Sequence, residues 1–399
     1  MKNWGKTKLG DVCSFVRGPF GGSLKKNIFK TEGCAVYEQQ HAIYDQFDDI
    51  RYFIDEVKFN EMKRFELKSG DLIMSCSGTM GKVAIVPENI QKGIINQALL
   101  KLTPSKKIST VFLKLWMQSE NFQESLKEYS GGAAIQNVAS VAILKQIEIP
   151  LPPLPEQQRI VSILDEAFAA IAKAKANAEQ NLKNAKELFE SYLQGVFKEK
   201  GDGWVEKTLG EIGSPKMCKR IFKEQTTATG DIPFYKIGTF GKEPDAFISK
   251  EIFDEFRSKY SFPKKGDVLI SASGTIGRRV RYDGEPAYFQ DSNIVWIDND
   301  EKQVLNDYLF VIYEFCNWSP SKGATISRLY NSDLTSVKIT FPKSKEEQKA
   351  ILYQLDTLRA ETQKLEALYQ KKIADLEELK KSILQKAFSG ELGGRDVEV

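Results

Sequence analysis

A single histidine, His41, among 399 residues leaves almost no room for histidine chemistry. No H-E-x-x-H segment exists either, so zinc hydrolysis and His-based triads drop out as readings, and His41 is assigned no chemistry. The five cysteines, Cys13, Cys34, Cys76, Cys218 and Cys316, are odd in number, scattered and never in C-x-x-C spacing. Neither a disulfide framework nor a structural zinc site is indicated, and they read as buried or inert thiols. No apolar run approaches the ~18 residues of a membrane span. The start, M-K-N-W-G-K-T-K, carries no apolar signal region, so a cytoplasmic protein is expected.

Nucleotide and methyl-transfer signatures are missing as well. There is no G-x-x-x-x-G-K-[ST], so ATP-driven work belongs elsewhere, and no N-P-P-Y-like or D-P-P-F-like tetrapeptide of an adenine-amino methyltransferase. No Gly-rich dinucleotide-type loop lies between a strand and a helix, and no pair of carboxylates stands out as acid and base. The net charge of +3 is small for a chain with 28% charged residues, so the placement of the charges matters more than their sum.

What the chain does contain is itself, twice. S-C-S-G-T-M-G at 75–81 follows Gly70, Asp71, Leu72; S-A-S-G-T-I-G at 271–277 follows Gly266, Asp267, Val268. Trp4 with Leu9, Gly10, Asp11 returns as Trp204 with Leu209, Gly210, Glu211. Gly132, Ala133, Ala134, Ile135 returns as Gly323, Ala324, Thr325, Ile326, and Glu156, Gln157, Ile160, Leu164 as Glu347, Gln348, Ile351, Leu355. Leu193, Gln194, Phe197 returns as Leu384, Gln385, Phe388. So many landmarks in order define a tandem duplication of a unit of about 200 residues, hence two similar binding surfaces.

Each unit changes periodicity part-way. Residues 1–150 and 201–342 mix short β-like runs, Gly-rich turns and a few helical segments, which reads as α+β. Residues 151–200 and 343–399 are helical, with apolar or small residues three and four apart: Val161, Leu164, Phe168, Ile171, Ala178, Leu182, Ala185 in the first, Leu355, Leu358, Thr362, Leu365, Tyr369, Leu376, Leu379 in the second. Lys175 and Lys372 interrupt the two series. Pro150, Pro152, Pro153 and Pro155 stop the strand before the first helix, and Pro342 stands before the second. Two such helices of roughly 65 Å, with a globular domain between them, pair most simply as an antiparallel coiled coil with a domain at each end.

The order Trp4, Leu9-Gly10-Asp11, Gly70-Asp71-Leu72, Ser77-Gly78-Thr79 and I-E-I-P-L-P-P-L-P-E-Q-Q-R-I-V at 147–161 resembles the specificity subunit of type I restriction-modification systems over almost the entire chain. The resemblance implies two target-recognition domains, each reading one half of a split double-stranded DNA sequence. It implies two long helices that set the spacing and bind two methyltransferase subunits, with restriction subunits completing the assembly. It also implies a non-catalytic chain that binds no cofactor, S-adenosylmethionine belonging to the methyltransferase and ATP and Mg to the nuclease. The second copy departs from the pattern: F-P-K-S-K-E-E-Q at 341–348 lacks the proline-rich spacing, and Arg278-Arg279 stands where the first copy has Lys82-Val83. Two domains reading different sequences, and so an asymmetric target, are expected.

DNA contact needs cations for phosphates and amide or guanidinium groups for base edges. The candidates are Lys25, Lys26 and Lys82 in the first copy, and Lys219, Arg220, Lys223, Arg278, Arg279, Arg281 and Arg328 in the second. Polar stretches that differ between copies are candidates for base reading: Tyr37, Gln39, Gln40 and His41 against Tyr235 and Lys236. The S-G-T-x-G phrase reads as a tight turn after a buried strand. A charge run is also what any solvated face carries, so a tandem protein-binding scaffold with a coiled-coil spacer stays open beside the DNA reading.

Overall fold

The computed structural model describes residues 4–20, 22–128, 140–198, 201–319 and 328–393. The repeat landmarks at 132–135 and 323–326, and the loops expected at Gly131-Gly132 and Gly323, lie outside the described residues. The chain divides into two compact units, one of Met1–Asn181 with Leu368–Val399 and one of Leu182–Ala367. Each unit therefore combines one globular domain with segments of both long helices.

The duplication is complete at the level of sheet topology. The first domain has a four-stranded antiparallel sheet in the order Cys13–Arg17, Leu99–Pro104, Leu72–Ser75, Val83–Ile85; the second has Gly213–Lys216, Ile294–Asn299, Val268–Ser271, Arg279–Arg281 in the same order. Beside it each domain carries a three-stranded sheet with one parallel pair: Cys34–Tyr37 with Gly93–Ile95, and Ile232–Tyr235 with Tyr288–Phe289. A two-stranded ribbon joins the start of each domain to its end, Lys6–Lys8 with Glu148–Pro150 and Trp204–Thr208 with Lys338–Pro342. Leu72–Ser75 and Val268–Ser271 are buried at every position, as central strands covered on both faces must be.

The repeated phrase is the hairpin that leaves that central strand. Its first serine is buried and clamps the loop: Ser75 Oγ donates to the Thr79 carbonyl at 2.6 Å and accepts from the Lys82 N–H at 3.0 Å. Ser271 repeats both contacts with Thr275 and Arg278. Gly78, Gly81, Gly274 and Gly277 have φ of 63°, 75°, 66° and 82°, where a side chain is strained. At the last glycine of each phrase space is missing too, since a Cβ on Gly277 would lie 2.4 Å from the Trp318 ring and one on Gly81 2.7 Å from Gln123 Oε1.

Helices Leu154–Lys198 and Lys345–Ser389 each run 45 residues. In the first unit Lys175 is ion-paired to Glu377 and Lys380 lies 5.0 Å from the Phe168 ring; in the second Tyr192 donates to Gln354 at 2.9 Å and Arg359 lies 5.1 Å from the Phe189 ring. Rising numbers on one helix meet falling numbers on the other, so the pair is antiparallel. Lys175, which breaks the apolar series, is thus answered across the seam by a carboxylate. The expected seam holds on the first helix, where Leu164, Ile171, Ala178 and Ala185 are buried, and in part on the second, where Leu355 and Thr362 are buried but Leu365 and Leu379 are 37% and 46% exposed.

One glutamine per copy fixes each helix start to its domain. Gln157 and Gln348 are both fully buried. Gln157 Oε1 accepts from the Ser109 N–H at 2.8 Å, and its Nε2 donates to the carbonyls of Pro152 and Lys107 at 2.9 and 3.2 Å. Gln348 does the same with Leu305, Pro342 and Gln303. The far helix ends close the arrangement, with Phe388 against Phe112 in the first unit, ring centroids 5.2 Å apart, and Phe197 against Tyr308 in the second, at 5.9 Å. Each copy's last turn thereby enters the core of the other copy's domain.

All five cysteines are free, and four of them, Cys13, Cys34, Cys76 and Cys218, are buried. Burial pushes the thiols of Cys13, Cys76, Cys218 and Cys316 up to about 12, which keeps them protonated and unreactive at neutral pH.

Candidate nucleic-acid interface

In the second domain the chain leaves strand Gly213–Lys216 through a connector, Met217–Phe222, that carries cations and an aromatic outward. The Lys219 ammonium sits 5.1 Å from the Tyr260 ring. The Arg220 guanidinium pairs with Asp291 at 2.8 Å, and Phe222, next to the exposed Lys223, is 60% exposed. Lys219, Arg220, Phe222, Tyr260 and Asp291 line an open cleft of about 570 Å³ together with Met217. Met217 also lines a neighbouring cleft of about 470 Å³, with Arg328 and the half-exposed Tyr330. Arg328 donates to Asn293 Oδ1, and Ser273 of the repeated phrase donates to the same oxygen at 2.7 Å. The phrase therefore fixes an arginine at the cleft wall. Cations interleaved with exposed aromatic rings offer charge for phosphates and flat faces for bases or sugars.

The three arginines of G-R-R-V-R-Y do not act as one patch. Arg279 and Arg281 alternate with Val280 on strand Arg279–Arg281 and share one face, where they lie 5.0 and 4.9 Å from the Phe310 ring. Their charges are answered by Glu314 at 2.6 Å and Asp307 at 3.1 Å. Arg278 turns the other way and donates to the Phe240 carbonyl at 3.0 Å. Tyr235 stacks on Phe289, ring centroids 5.8 Å apart, beside a separate cavity of about 250 Å³, and Lys236 pairs with Asp245 at 2.8 Å.

In the first domain Lys25 and Lys26 are exposed at the single helical turn Lys26–Ile28, whose counterpart is Lys223–Gln225. Phe20, in the same connector, is 89% exposed. Gln39 and Gln40 lie on helix Gln39–Tyr44: Gln39 Oε1 accepts from Ser77 at 3.5 Å, and Gln40 donates to the Asp49 carbonyl at 3.1 Å. Two expected base readers are not available. Tyr37 is fully buried with its hydroxyl donating to the Gln91 carbonyl at 2.7 Å, and the buried His41 ring is held between Glu38 and the Asp49 carbonyl. The segment after Tyr37 folds back as a helix and seals that site with His41 and Phe47, whereas Tyr235 has no such cover. Lys82 is exposed at the foot of the first phrase.

A family model, type I restriction modification DNA specificity domain, matches residues 1–183 and again 201–377. The chain belongs to that family. Its two domains are DNA specificity domains, and specificity subunits are the non-catalytic, DNA-recognising members of their systems. A putative type I restriction enzyme specificity subunit of Haemophilus influenzae is 51% identical over 223 residues, 54% of this chain and 58% of that relative. The chain thus aligns with less than two thirds of that relative's length. The putative MjaX specificity subunit of Methanocaldococcus jannaschii is 24% identical over 98% of this chain and 94% of its own. Among solved structures, the HsdS subunit of Thermoanaerobacter tengcongensis superposes with a TM-score of 0.67 at 20% identity, covering 98% of each chain. A chain from a structure of type I R-M complex assembly and conformational transition gives 0.71 at 20% identity, covering 98% of this chain and 99% of its own. At these identities the structures speak to the fold, which is the family's.

Among the described residues no group of three or more His, Cys, Asp or Glu is placed to hold a metal ion, and no helix is long and apolar enough to cross a membrane. Sequence reasoning missed Phe222, Tyr260 and Tyr330. Lone aromatics in loops carry no periodicity, and only the K-R-I-F-K context of Phe222 marked one of them.

Proposed function

We propose that each domain of this specificity subunit reads one half of a split, asymmetric duplex target. The helix pair sets the spacer and docks two methyltransferase subunits, which carry S-adenosylmethionine. Restriction subunits, with ATP and Mg, complete the assembly. The observation that carries the reading is the basic and aromatic face of the second domain, Lys219, Phe222, Tyr260 and Arg328 with the exposed Lys223 next to Phe222, on a topology that the first domain repeats with Lys25, Lys26, Gln39, Gln40 and Lys82. The second serine of the phrase meets different partners in the two copies, Ser77 donating to Gln39 and Ser273 to Asn293, which favours two unlike half-sites.

The test is to map methylated adenines genome-wide in cells with and without the gene. Loss of one bipartite, asymmetric motif supports the reading, and an unchanged map sinks it. A protein-binding scaffold would give tight partner binding and no retardation of duplex DNA by the assembled complex. Within the interface, Lys219→Gln with Lys223→Gln is expected to lower the slope of log K against log salt by about 1.8, at ~0.9 per phosphate contact. Arg279→Ala with Arg281→Ala leaves the slope nearly unchanged, because those charges already have partners.

Docking of methyltransferase subunits is assigned to the outward face of the second long helix, where Leu365, Leu368 and Leu379 are 37%, 57% and 46% exposed. Apolar side chains on the solvent side of a paired helix suit a further helix packing against them. Leu368→Lys is expected to reduce co-purification of the methyltransferase at least tenfold with little change in the unfolding midpoint. Full retention of the partner would move docking elsewhere.

A further inference from the structure

The first unit contains a cleft of about 470 Å³ between the foot of the S-G-T-M-G loop and the paired long helices. Lys82 lines it from the loop, Lys380 and Lys381 from the second long helix, and Gln118 from the domain. All three lysines are exposed, and among the described residues none of them is in an ion pair. The two carboxylates of the lining are already engaged by lysines from outside it: Asp45 by Lys114 at 2.6 Å, and Glu377 by Lys175 across the helix pair. Lys175 is the main reason that the Glu377 carboxyl sits below its usual range, with Lys380 and Lys381 adding to it. Lys380 is further held in place against the Phe168 ring at 5.0 Å.

Three ammonium groups therefore face one cleft whose negative charges are satisfied internally. Such a site has a surplus that an outside anion balances, and the long helix that supplies two of the three lysines is the element otherwise read as a spacer. We infer that this cleft grips the DNA backbone, with Lys82, Lys380 and Lys381 contacting successive phosphates, so that the helix pair holds DNA as well as separating its readers. The inference rests on the proposed reading of a duplex. The alternative anion, an acidic surface of a partner protein, is favoured less because Lys82 stands at the end of the clamped loop, its N–H donating to Ser75, and Ser77 of that same loop donates to the candidate base reader Gln39.

The test uses the full chain assembled with its methyltransferase, binding a duplex that carries the mapped target. Lys82→Gln, Lys380→Gln and Lys381→Gln together are expected to lower the slope of log K against log salt by between ~1 and ~2.7, from ~0.9 per phosphate lost. The corresponding Lys→Arg triple should restore the slope, and both variants should keep the parental unfolding midpoint, since the side chains are exposed. An unchanged slope in a parent complex that does bind the duplex overturns the inference and leaves the DNA reading standing. Loss of methyltransferase co-purification with an intact slope also overturns it and assigns the cleft to protein. A parent complex that binds no duplex rejects the DNA reading itself.

Discussion

Gln157→Leu is expected to lower the unfolding free energy of the chain by about 3–5 kcal/mol, and Gln348→Leu by a similar amount. Leu keeps the bulk but strips the part-buried Ser109 N–H of its acceptor and the buried Pro152 and part-buried Lys107 carbonyls of their donor, each at about 1–3 kcal/mol, the part-buried groups at the low end. Gln157→Glu separates polarity from volume. Its carboxylate still accepts from the Ser109 N–H, but its second oxygen faces the carbonyls of Lys107 and Pro152. Burial and those carbonyls raise the folded-state pKa of the new carboxyl above its unfolded value. The protonated acid can donate to one carbonyl, so the Glu variant is nearest to parental stability at low pH and loses stability as pH rises through the folded pKa. Urea unfolding across pH 4–8 reads this directly. Gln158→Leu, one residue on and exposed, is the control and should change stability by less than about 0.5 kcal/mol. Equal effects at 157 and 158 would dismiss the lock.

Deleting residues 172–178 together with 371–377 is expected to shorten the DNA spacer by about 3 base pairs while leaving both half-site sequences intact. The segments face each other in the antiparallel pair and contain both partners of the Lys175–Glu377 ion pair, so neither charge is orphaned. Seven residues keep the seam in phase and remove about 10 Å of helix, and DNA rises about 3.4 Å per base pair. Methylation mapping of cells carrying the shortened subunit reports the spacer. An unchanged spacer in an active complex would remove the helix pair as the ruler, whereas changed half-sites would mean that the helices help to read bases.

Much of this molecule could be read locally. A buried strand followed by S-G-T-x-G states its turn, because positive φ at Gly78, Gly81, Gly274 and Gly277 demands glycine wherever the chain is placed. Long apolar periodicity states a helix, and two such helices at matching places in a duplicated chain state their pairing. The candidate interface was legible only in part. Lys25, Lys26, Lys82, Lys219 and Lys223 reach solvent as expected, but Arg279 and Arg281 meet Phe310, Glu314 and Asp307, residues that sequence spacing does not bring near them.

The sequence by itself determined the duplication, the α+β domains, the paired helices and the family, since each is written in local pattern or in repeated order. Tertiary structure alone decided that Tyr37 is sealed while Tyr235 is only partly buried, that Leu365 and Leu379 face outward, and that Lys380 and Lys381 share a cleft with Lys82. The physical reason is that the role of a charge or ring depends on what packs against it, and the local pattern does not say which neighbours those are, whether Phe47 over Tyr37 or the second long helix beside Lys82.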